Sequence, residues 1–144
     1  MYKFFVADLT GGQEVPPVRT NANGMAKFVA DDYGNCIKFE MTVNDIRDFV
    51  QAHIHFGERG VNGPVLAFLF GADLATLAEQ NGISTRRGVV TGKITDDDIV
   101  PNNVGVRNVQ DLLRLMSKKK TYVNVHTEQN PAGEIRGQIK PVLL

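Results

Sequence analysis

The chain has 144 residues, 42% of them apolar and 22% charged, which is enough for one self-supporting core and too hydrophobic for a disordered segment. Lys plus Arg and Asp plus Glu number 16 each, so the chain lacks the basic footprint of a dedicated nucleic-acid binder. A single cysteine, Cys36, excludes an intramolecular disulfide and any zinc site built from several cysteines.

Taken from the N-terminus, Phe4-Phe5-Val6-Ala7 reads as a strand ended by Gly11-Gly12. Asp8 follows too soon for a secretory core, and no run reaches transmembrane length. A cytoplasmic chain is expected as written, a secreted one if a leader has been removed. Gln13 to Pro17 is non-helical, because Pro16-Pro17 removes two backbone donors. Met25 to Ala30 and Cys36 to Val43 form a hairpin across Asp31-Asp32-Tyr33-Gly34-Asn35. In its second arm Ile37, Phe39, Met41 and Val43 alternate with Lys38, Glu40 and Thr42, the period of a half-buried strand. Cys36 is read here as a small core hydrophobe.

Val50 to Gly57 is a further strand. After Gly60-Val61-Asn62-Gly63-Pro64 comes Val65 to Phe70, apolar on both faces as a central strand is. Leu74, Leu77 and Ala78 suggest a short helical turn ended by Asn81-Gly82, and Gly88 to Thr95 another strand. Asp96-Asp97-Asp98 reads as a turn or a helix-start cap. Val109, Leu112, Leu113 and Met116 fall at i, i+3, i+4 and i+7, which predicts a helix capped by Asn108. Lys118, Lys119 and Lys120 close it where positive charge is favourable, as a solvated helix end. Thr121 to Thr127 and Glu134 to Val142 are two last alternating strands. Seven or eight short strands with one short helix predict an all-β domain over residues 1–144, a Greek-key β-sandwich or barrel, of which the immunoglobulin-like sandwich is one type.

The three histidines fall in two of these strands, in His53-Ile54-His55 and Val123-Asn124-Val125-His126. Residues i and i+2 of a strand share a face, so the His53 and His55 Cα atoms stand roughly 6.6 Å apart. With Ile54, Phe56, Val123 and Val125 filling the core, His53, His55 and His126 point away from it together with Gln51, Tyr122 and Asn124. Three such imidazoles on neighbouring strands would make an open three-nitrogen site suited to copper or zinc. The competing reading is solvated or loop-bonded surface histidines. A metal site would weaken as pH drops below about 6.5, because a ligating imidazole must be neutral.

No catalytic residue is assigned. There is no Gly-rich phosphate loop and no Gly-x-Ser-x-Gly elbow, and the two serines, Ser84 and Ser117, lie in no nucleophile motif. Glu134 and Arg136 share a face of the last strand and read as a structural ion pair, with each other or with a neighbour. With Gln51, Tyr122 and Asn124 they form either the surroundings of the histidines or a partner surface.

Five segments resemble the CHRD (chordin) domain family in order: Leu9 to Pro17, Ala52-His53-Ile54-His55-Phe56-Gly57, Asn62-Gly63-Pro64-Val65, Tyr122 to Thr127 and Pro131 to Ile139. That family is named for repeats in chordin, an extracellular antagonist of bone morphogenetic proteins, and also occurs in bacterial proteins. His53-x-His55-Phe56-Gly57 and Val125-His126 are more distantly similar to the copper-ligand segments of copper/zinc superoxide dismutase. That likeness implies His53, His55 and His126 as copper ligands on the outside of a barrel. The bridging histidine, the zinc-site histidines and the cysteine pair have no counterpart here.

Three functions follow as expectations. The first is a non-enzymatic binding module presenting the histidine face to copper, zinc or an unidentified protein. The second is a mononuclear copper redox enzyme, and the third a structural or self-associating domain. Neither nucleic acid nor membrane insertion is expected, and the oligomeric state is left open.

Overall fold

The computed structural model describes residues 2–71 and 83–143. The chain folds as strand β1 (Phe4–Thr10), a 3-10 turn (Gly11–Gln13), β2 (Asn23–Ala30), β3 (Cys36–Phe56), β4 (Val65–Phe70), β5 (Ile83–Thr95), a second 3-10 turn (Asp96–Asp98), helix α1 (Val109–Ser117), β6 (Thr121–Thr127), β7 (Ile135–Gln138) and β8 (Lys140–Val142). The helical turn expected around Leu74, Leu77 and Ala78 lies outside the described residues. No described helix is long and apolar enough to cross a membrane.

The strands pair in the order β2-β1-β7-β6-β3-β4, and β2 also pairs with β3, which closes the sheet into a barrel. β5 is added along β3, and β8 along β1. Closure follows from alternation. Ile37, Phe39, Met41 and Val43 of β3, Phe5, Ala7 and Leu9 of β1, and Ala26, Phe28 and Ala30 of β2 are all buried in one apolar cluster. From the other wall Ile54, Val123, Val125 and Ile135 join it. A sheet buried on one face stays in register because a slip of one residue would turn these side chains outward.

Two predicted strands, Cys36 to Val43 and Val50 to Gly57, are one strand. β3 bends instead of ending: Asp45 (φ 51°) and Asp48 (φ 55°) take left-handed conformations that Asp tolerates, and the β5 register shifts between Ile46 and Phe49. The first half of β3 pairs with β2 and the second half with β6. The reverse happens at the C-terminus. The expected strand from Glu134 to Val142 divides at Ile139, so that β7 pairs with β6 and β8 with β1.

β4 is not central. It ends the strand order, with Phe68 41% exposed. Its apolar run covers the core with Leu66, Ala67 and Leu69, while Phe68 turns to the other face. Cys36, read as a core residue, is only half-buried, because it starts β3 in phase with exposed Lys38 and Glu40.

Helix α1 buries the expected stripe of Val109, Leu112, Leu113 and Met116. Asn108 Oδ1 accepts from the Asp111 N–H at 2.8 Å, and Asp96 Oδ1 accepts from the Val109 N–H at 2.9 Å. The acidic triplet is thus a 3-10 turn that also helps to cap α1. Asn108→Ala should cost about 1 kcal/mol and lower Tm by roughly 2–4 °C, read by thermal denaturation. Lys118 and Lys119, just past the helix, are exposed, as expected of a solvated end, whereas Lys120 is half-buried and pairs with Glu58 at 3.8 Å.

Candidate metal centre

Alternation that sends Ile54, Val123 and Val125 inward sends their neighbours to the outer face of the same wall. The β3–β6 register sets His53 opposite Asn124, His55 opposite Tyr122 and Gln51 opposite His126. β7 then adds Arg136 beside Asn124 and Gln138 beside Tyr122. The three histidines come together as expected. Their ring centroids are 4.9 Å (His53–His126), 5.4 Å (His53–His55) and 6.0 Å (His55–His126) apart. One nitrogen of each ring lies within 4.8 Å of the others.

The site is not open. His53 and His55 are buried, and His126 is half-buried. Segments 11–18, 57–64 and 129–134 fold over this face, and Phe68 packs edge-on against His53 with centroids 4.6 Å apart. Gly63 brings its segment back close enough to serve the histidines, since a Cβ there would stand 1.7 Å from the Phe56 carbonyl oxygen.

Two imidazoles are oriented by backbone carbonyls. His55 Nδ1 meets Gly63 O at 3.0 Å, and His126 Nδ1 meets Pro131 O at 2.9 Å. A carbonyl only accepts, so both rings carry their proton on Nδ1 and present the Nε2 lone pair. Those Nε2 atoms are buried without a hydrogen-bond partner, as is His53 Nδ1. Burial drives His53 down to about 3, helped by His126 and His55, and His55 down to about 4 against the Gly63 bond that pulls it up. Burial lowers His126 as well. All three rings are neutral at physiological pH, the form that binds metal.

Three neutral imidazoles, three buried nitrogens without partners and two rings held by carbonyls behind them suit a transition-metal ion. Nitrogens sharing one ion at 2.0–2.1 Å stand about 3.3–3.6 Å apart, so the rings need to close by roughly 1 Å.

The five surrounding residues are buried too, which removes them from any exposed partner surface. The Tyr122 ring stacks on His55 at 4.9 Å and 6°, and the Arg136 guanidinium lies 3.5 Å over the Tyr122 ring centroid. Arg136 donates to Asn62 Oδ1 (2.9 Å), Val61 O (2.7 Å) and Glu58 O (3.1 Å). The expected ion pair does not form: among the described residues Glu134 and Arg136 make a salt bridge neither with each other nor with a neighbour. Glu134 accepts instead from the Thr20 and Thr127 hydroxyls and the Gln129 and Asn130 amides. Burial pushes its carboxyl up, but these four donors outweigh it and hold it below the ordinary carboxylate range. Gln51 lies buried at the register position opposite His126.

Two residues of the site escaped the sequence reading. Phe68 was hidden in a run apolar on both faces. Glu14 is buried beside Asn124 and Gly133 although its segment has no regular structure to orient it; its only signal is its place in the Leu9 to Pro17 motif.

A comparison with curated proteins finds no match. The family model of the CHRD domain matches residues 5–139, taking in every strand that bears the histidines and all three segments that cover them. The chain belongs to the CHRD domain family.

Proposed function

We propose that this CHRD domain binds one transition-metal ion, copper or zinc, through His53, His55 and His126. The observation that carries the reading is the set of three buried ring nitrogens, within reach of one another and lacking hydrogen-bond partners. Leaving a buried acceptor unmade costs about 1–3 kcal/mol, and one shared ion satisfies all three. Gly63 O and Pro131 O hold two of the rings with the correct nitrogen forward, and Tyr122 braces the His55 ring from its face.

Protein purified without a polyhistidine tag should take up one ion per chain in a calorimetric titration with copper or zinc. The double variant His53→Ala/His55→Ala should lose this binding. No uptake by the wild type would return the domain to a structural or protein-binding role. Three ligands leave a coordination position for a further group, the observation that keeps a redox reading in view. A bound copper would supply one-electron chemistry. Copper-dependent consumption of superoxide that disappears in His126→Ala would assign the enzyme, and binding without turnover the binding module.

A further inference from the structure

Glu14 sits in the middle of the cover over the polar face. Its segment is held by the Val18 and Glu14 amides, which both donate to Gly11 O, and by Asn62 Nδ2, which donates to Val15 O at 3.0 Å. Only 5% of Glu14 is exposed, and its Oε2 has no hydrogen-bond partner. Asn124 is 4% exposed, and its Oδ1 is orphaned as well. Both oxygens crowd the same point: a Cβ on Gly133 would stand 2.3 Å from Asn124 Oδ1 and 2.5 Å from Glu14 Oε2. Turning the Asn124 amide over does not resolve this, because its Nδ2 already donates to Ala132 O and the reversed amide would set oxygen against oxygen there.

Two buried acceptors crowd one point, and among the described residues no ion pair brings a cation to separate them. Arg136, the nearest cation, is committed to Asn62, Glu58, Val61 and the Tyr122 ring, and no ion pair joins it to Glu14 among the described residues. The other charged or titratable groups nearby do not help. Tyr122 is a neutral phenol under Arg136, Glu134 is saturated by its own four donors, and Glu58 and Arg59 are exposed. A proton on Glu14 turns Oε2 from an acceptor into a donor and satisfies both oxygens at once.

We infer that Glu14 is a carboxylic acid in the closed protein, and that its proton, shared with Asn124 Oδ1, latches segment 11–18 over the histidine face. When the proton leaves, a carboxylate is set against the Asn124 oxygen and the latch opens. Burial, opposed only in part by Arg136, places this event at about pH 7. The folded-state value is raised, so the stabilisation is complete below about pH 4.5 and is lost as pH rises through about 7. The protonation stands on its own; only its effect on access to the imidazoles rests on the metal reading. Closed and open forms would then differ in how readily an ion reaches them.

The test uses the full metal-free chain. Carbon-detected NMR of the glutamate carboxyls should show one group titrating near pH 7 that is missing in Glu14→Gln. Glu14 titrating in the ordinary range below 5 would overturn the proposal. The Val18 amide reads the latch itself. Its hydrogen-exchange protection should fall at least about tenfold between pH 6 and pH 8 in the wild type. It should stay level in Glu14→Gln, whose amide N–H still donates to Asn124 at every pH. Parallel protection in the two proteins would also overturn it. Neither measurement involves metal, so failure of the metal titration leaves both intact.

Discussion

Replacing Arg136 with methionine should destabilise the domain by about 3 kcal/mol, although it keeps most of the side-chain volume. Arg136 is 1% exposed, and its guanidinium spans three acceptors on segment 58–62 while it covers the Tyr122 ring. Glu58 and Val61 are exposed, so their carbonyls regain water and the loss stays below that of a sealed buried charge. Arg136→Lys should recover little, because a point charge on a flexible stem cannot bridge three separated acceptors. Chemical denaturation would show the midpoint falling with an unchanged slope. The same change loosens the Tyr122 ring behind His55, so metal affinity should drop roughly 10- to 100-fold, the usual cost of losing an outer partner. Unchanged stability in Arg136→Met would show that segment 58–62 is held by other contacts.

Acid should destabilise the metal-free protein through its histidines. The unfolded chain takes up protons near the ordinary imidazole value of 6.5, whereas folded His53 and His55 resist until about 3 and 4 because burial disfavours their charged form. The folded values are depressed, so the neutral rings stabilise fully above about pH 6.5. That contribution is lost as pH falls from there towards 3–4. Denaturation midpoints measured from pH 7 to 4 should decline, and less steeply in His53→Ala/His55→Ala; identical slopes would refute the assignment. The same shifts move the window for metal. An ordinary imidazole would lose metal below about pH 6.5, but here His53 and His55 take up protons only near 3 and 4 and burial lowers His126 as well, so the fall in affinity should begin below pH 6.5. A fall beginning at 6.5 would mean that the rings are more hydrated than the fold shows.

Much of this was legible in the chain because it depends on local period. Ile37, Phe39, Met41 and Val43 announce a strand and its buried face, and Val109, Leu112, Leu113 and Met116 a helix and its stripe. The same period of two sets His53 beside His55 and turns His126 away from Val125. Boundaries failed where the chain changed partner without changing pattern. β3 runs on through Asp45 and Asp48, and the last strand divides at Ile139, because hydrogen bonding to a neighbouring strand decides where an element continues. β4 looked central because its apolar residues serve two faces, the core and His53.

By itself the sequence determined an all-β chain with one helix, the CHRD motif, the three imidazoles and their common side of the wall. Each follows from residue types and the alternation of a strand. Only the tertiary structure decided that the side facing away from the core is itself buried. Segment 11–18 arrives there from a distant part of the chain, while 57–64 and 129–134 turn back over the strands they follow, and no period in any of them records where they land. Their arrival supplies the carbonyls behind His55 and His126, the anchors of Arg136 and the carboxyl of Glu14. Desolvation under that cover, which no local pattern encodes, lowers the imidazole pKa values and raises that of Glu14.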